Sequence, residues 1–73
     1  MGTKANPGRF DCLKNVPDDE PIFILRAQDA LAAELVELWS LRARACGTPH
    51  DKVLAAKQCA EEMLRWHTRK NPD

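Results

Sequence analysis

A mainly α fold is expected for this chain: an antiparallel helical hairpin with an extended N-terminal arm, assembled as a helical-bundle oligomer. Three observations predict it. Residues 30–46 and 49–68 are rich in strong helix formers and repeat their apolar side chains at helical spacing. Between them, Gly47-Thr48-Pro49 joins a residue suited to ending one helix with residues suited to opening the next. The whole chain has only 73 residues, and one core of that size rarely supplies more than ~3–5 kcal/mol without a disulfide, a metal or a second chain.

Residues 1–20 read as an extended or partly disordered arm. Asn6-Pro7-Gly8 is a turn signal, and the acidic run 17–21 is bracketed by Pro17 and Pro21. Phe10, Cys12, Leu13 and Val16 are enough apolar residues to dock on the hairpin, with residues 1–9 left as a loose tail. Residues 21–70 form the hairpin domain. Its opening run, Pro21-Ile22-Phe23-Ile24-Leu25, has the length and β-branching of a strand or extended segment, and a short helical turn is the alternative. With no sheet to join, it would wrap across the hairpin or pair with its copy in another subunit.

The first helix, of roughly five turns, is expected to start at Asp29 as N-cap, with Glu34 complementing the helix dipole and Gly47 ending it in the left-handed region. At helical periodicity Leu31, Leu35, Val36, Leu38, Trp39, Ala43 and Cys46 share one broad face. Glu34, Glu37, Ser40 and Arg44 lie opposite. Leu41 falls among the polar set and Arg42 within the apolar arc.

The second helix is expected to open with Thr48 as N-cap, Pro49 in first position and Asp51 in a capping-box-like place. Val53, Ala56, Cys59, Ala60, Met63, Leu64 and His67 form its apolar face, and Lys57, Gln58, Glu61, Glu62 and Arg65 its wet face. Lys57–Glu61 and Glu61–Arg65 are i,i+4 pairs worth roughly 0.2–0.5 kcal/mol each. The basic run 65–70 suits the negative end of the dipole, and Asn71-Pro72 stops the helix.

Composition excludes several functions. Eleven basic and eleven acidic residues give zero net charge, so nucleic acid is an unlikely partner for want of a cationic footprint. No apolar run approaches the ~18 residues of a membrane span, no signal-peptide pattern opens the chain, and Met1-Gly2 fails as a myristoylation site because Asn6 stands where Ser or Thr is needed. The expected compartment is the cytoplasm. Three cysteines, Cys12, Cys46 and Cys59, make an odd set. In a hairpin Cys46 and Cys59 differ in height by roughly 10 Å or more, beyond the ~7 Å that a disulfide spans, so free thiols are expected. His50 and His67 add no zinc-like spacing to these cysteines, so neither metal nor cofactor is expected. The carboxylates at 18–20 and 61–62 sit in a linker and on a wet face, which does not converge them for acid–base work. The chain reads as a non-enzyme.

Binding residues are the stronger candidates. Arg26 and Gln28 precede the first helix N-terminus, where anions are favoured, and Arg42 intrudes on an apolar arc. Together they suit a small anionic, nucleotide-like ligand sequestered at a subunit interface. Alternatively Arg42 snorkels or pairs with an acid such as Asp29 or Glu20. Trp39 and Trp66 are hard for two helices to cover alone, and Leu41 and Leu54 point away from the shared face. These four are the expected interface residues of a homodimer or higher oligomer.

The segment Glu20-Pro21-Ile22-Phe23-Ile24-Leu25-Arg26-Ala27-Gln28-Asp29, with the early Lys4-Ala5-Asn6-Pro7-Gly8 and the Ala-rich stretch 55–66, resembles small phage and prophage proteins. That resemblance implies a bacterial host cytoplasm and an accessory role in phage or mobile-element biology. It assigns no functional residue. The leading expectation is a protein–protein interaction module that acts on a host factor, with ligand sequestration as the alternative.

Overall fold

A computed structural model describes residues 1–71. A single 3-10 turn, Leu13–Asn15, interrupts the arm; two helices follow, α1 (Ala32–Ala45) and α2 (His50–Leu64). The helices pack against each other along their length, and the short turn between them makes the pair an antiparallel hairpin. No helix of the described residues is long and apolar enough to cross a membrane.

The turn forms as its residues dictate. Gly47 has φ +85°, a region that costs a glycine nothing and a β-branched residue dearly. The Thr48 N–H donates to the Ala43 carbonyl at 3.0 Å, and the Gly47 N–H to that of Arg44 at 3.1 Å. These two bonds are a Schellman motif, which satisfies carbonyls that the end of α1 would leave unpaired.

Both helices are shorter than the sequence predicts, and the reason is tertiary. The Ala30 N–H donates to the Lys70 carbonyl at 2.8 Å, and the Lys70 N–H donates to the Gln28 carbonyl at 2.7 Å. This parallel bridge between Asp29 and Lys70 engages the backbone where α1 was expected to begin. Leu31 becomes the N-cap position, and Asp29 instead accepts the Leu31 N–H on its carboxylate at 2.8 Å. At the other end α2 stops at Leu64, so Trp66, His67 and the basic run lie on a returning strand of chain rather than on the helix. Thr48 is likewise not the cap of α2. It completes the Schellman motif, and Pro49, at ψ 139°, takes the N-cap place. The Asp51 carboxylate accepts the neighbouring Lys52 N–H at 2.9 Å and makes no capping box. Among the described residues neither Lys57–Glu61 nor Glu61–Arg65 closes as an ion pair.

The core is built from small residues: Ala32, Ala33, Ala43, Val53, Ala56 and Ala60, with Ser40 buried among them. Ser40 was expected on the wet face. It is tolerated inside because its hydroxyl donates to the Glu37 carbonyl at 2.6 Å. The expected inner face of α2 is partly seen, in Val53, Ala56 and Ala60, while Leu64 is exposed. That of α1 is also seen only in part: Ala43 is buried and Val36 half-buried, whereas Leu31, Leu35, Leu38 and Trp39 are exposed, at 43–45%. The helix carries two apolar stripes, and the one made of small side chains meets α2.

The arm lies against α2 at Arg9 and Phe10, while Cys12 and Leu13, also expected to dock, are exposed. Arg9 pairs with Asp51 at 3.1 Å, and its guanidinium lies 4.9 Å from the Phe10 ring centre, with the Lys52 ammonium 6.0 Å away. Residues 1–9 are more structured than a loose tail. The Thr3 N–H donates to the Asn6 carbonyl, the Asn6 N–H returns to the Thr3 hydroxyl, and the Met1 ammonium pairs with Asp11. That ammonium, helped by the Gly8 N–H, holds the Asp11 carboxyl below its usual range. Its support for the arm is therefore present at neutral pH and is lost as pH falls through that lowered pKa.

Gly47→Val should lower stability by about 1 kcal/mol or more. A Cβ at this position meets nothing within 4 Å, so the loss would come from backbone strain alone. A urea denaturation midpoint unchanged by the substitution would contradict the turn.

Candidate interaction surface

The surface is unusual for where its large apolar groups lie. Trp39, Leu41, Leu54 and Trp66, the expected interface residues, are all exposed, at 44%, 57%, 42% and 49%. Leu31, Leu35 and Leu38 join Trp39 on the outer side of α1. Trp66 lies beyond the end of α2 and stacks at a tilt on His67, with ring centres 4.8 Å apart.

The second apolar surface is one that sequence reasoning left open. Residues 22–25 form neither strand nor helical turn, and of the four only Leu25 is half-buried. Phe23 is 84% exposed, with Ile24 and Ile22 exposed beside it. Among the described residues, no backbone hydrogen bond is made by residues 22–25. Chain order begins again at Arg26, whose carbonyl accepts the Asp29 N–H at 2.9 Å. The period-free apolar run of residues 22–25 signalled an extended segment. Nothing in it signalled that Ile22, Phe23 and Ile24 would be exposed.

The expected anion site does not assemble in the single chain. Arg26 and Arg42 are exposed, Gln28 is half-buried, and among the described residues no hydrogen bond or ion pair joins the three side chains. At the start of α1 the Asp29 carboxylate takes one N–H, that of Leu31. Arg42 does not intrude on the core. It lies on the outer stripe with Leu35 and Leu38.

A depression of about 220 Å³ lies where the hairpin turns, lined by Arg44, His50, Val53, Leu54 and Lys57. Its polar groups are two cations, Arg44 and Lys57, and the His50 imidazole. Among the described residues no three His, Cys, Asp or Glu side chains cluster as metal ligands.

All three cysteines are free: Cys12 and Cys46 exposed, Cys59 half-buried. Burial pushes the Cys59 thiol up, and nearby Glu62 and Asp11 add to this. Less thiolate and less access both slow its reactions. Alkylation of the native protein near pH 8 should modify Cys12 and Cys46 well before Cys59, and denaturation without reductant should release all three. Cys59 reacting first, or fewer than three thiols after denaturation, would contradict the packing described.

No protein-family model matches the chain, and comparison with curated proteins and with solved structures gives no match.

Proposed function

We propose that the chain is a non-enzymatic protein-binding module that works as a helical-bundle homo-oligomer. In this reading it is an accessory protein of a phage or mobile element, it acts in the bacterial cytoplasm, and its target is a host protein. One observation carries the proposal. Small side chains are buried, and twelve large apolar ones among the described residues, including Leu35, Leu38, Trp39, Phe23 and Trp66, are exposed. Covering apolar surface is worth about 25 cal/mol per Å², so association gains what folding of one chain leaves unused.

The two exposed surfaces suit two tasks. The outer side of α1 is regular and helical, a face for bundle formation. Residues 22–25 offer free backbone donors and acceptors together with projecting apolar side chains, the combination by which an extended segment adds to the sheet edge of another protein.

Native mass spectrometry of the protein purified from its host tests the proposal. A multiple of the 8.2 kDa chain should carry a second polypeptide. Phe23→Ser combined with Ile24→Ser should remove that polypeptide while leaving the helical circular dichroism unchanged, because both side chains lie outside the core. A chain that carries no polypeptide, one that instead retains a nucleotide-sized mass, or a variant that keeps its partner would overturn the proposal.

A further inference from the structure

The outer stripe of α1 has a regular rhythm. From the N-cap position Leu31, the stripe runs through Leu35, Leu38, Arg42 and Ala45, at alternating separations of four and three residues. That is the a/d spacing by which one helix presents a narrow seam to another. The inner contacts fall on the opposite side, at Ala32, Val36, Ser40 and Ala43. The arm lies against α2, through Asp51 and Lys52, and no described contact brings it onto this stripe.

Charge along α1 identifies what covers the stripe. Glu34 and Glu37 occupy the first half of the helix, and Arg42 and Arg44 the last turn. All four are exposed, and none is in an ion pair within the described residues. A second α1 laid antiparallel sets each acidic half against a basic half. A parallel copy sets like charges together, which is unfavourable. Zero net charge means that two copies meet without overall repulsion.

We propose that the outer stripe of α1 is the seam of an antiparallel, two-fold homodimer. Its axis passes near Leu38, which sets Arg42 against the partner's Glu34. This gives Arg42 a task other than ligand binding: it sets the direction and register of the pair, a use of charged residues known from helical zippers. The inference rests on the self-association reading above and specifies its geometry.

Sedimentation equilibrium on the full chain tests it by charge exchange, with circular dichroism as the check on folding. Glu34→Arg and Arg42→Glu should each weaken the dimer by about tenfold or more, since each creates like-charge contacts at both symmetric positions. The two substitutions together should restore dimerisation to near the unmodified level. A parallel seam gives no such rescue, because exchanging the charges leaves like against like. A dimer whose single variants associate as strongly as the unmodified chain, or whose double variant stays weak, overturns the seam and leaves self-association standing. A monomeric unmodified chain overturns both.

Discussion

Packing α1 on α2 through alanine lets the two backbones approach closely, because at Ala32, Ala43, Ala56 and Ala60 only a methyl group lies between helix and helix. The constraint runs through the whole molecule. A methyl group buries little area, so each buried alanine contributes little hydrophobic stabilisation. Among the described residues no side chain larger than valine is buried. The leucines and tryptophans that would make a thicker core sit on the outside, and the hairpin reaches a closed fold with much of its apolar surface still wet.

With so thin a core, the ends of the hairpin matter. One end is closed by the Schellman bonds around Gly47, the other by the Asp29–Lys70 bridge. The bridge uses backbone groups, and it recruits the chain beyond α2 to hold the chain before α1. It also fixes where order begins after the exposed segment at residues 22–25. In the proposed function, a segment tied down at one end would lose less freedom on engaging a partner.

Some of this was legible in the sequence, for local reasons. Gly47 could be read because its task is set by backbone sterics within a few residues. Val53, Ala56 and Ala60 could be read because helical spacing aligns them on one face. The inner face of α1 could be read only at Val36 and Ala43. Hydrophobic periodicity ranks Leu31, Leu35 and Leu38 above Ala32, Ala33 and Ser40, yet close packing selects the smaller set, and which side of the helix meets α2 depends on the fit between two helices. The caps at Asp29 and Thr48 were displaced by a tertiary bridge and by the preceding turn, neither of which local propensity contains. Arg42 was recognised as out of place in an apolar arc. That the arc faces outward, and so turns Arg42 from a buried oddity into a surface charge, is a three-dimensional fact.

The central claim is that this hairpin is half of a structure, with its larger apolar groups reserved for a second chain. Small-angle X-ray scattering across a wide micromolar range is the most direct test, because it reads mass and size together. The single chain has a mass of 8.2 kDa and a Cα radius of gyration of 12.7 Å. The account predicts a forward-scattering mass of at least twice that of one chain, with a radius of gyration above the single-chain value, falling towards the monomer only on dilution. A mass of one chain and a radius near that of the isolated hairpin at every concentration would contradict it.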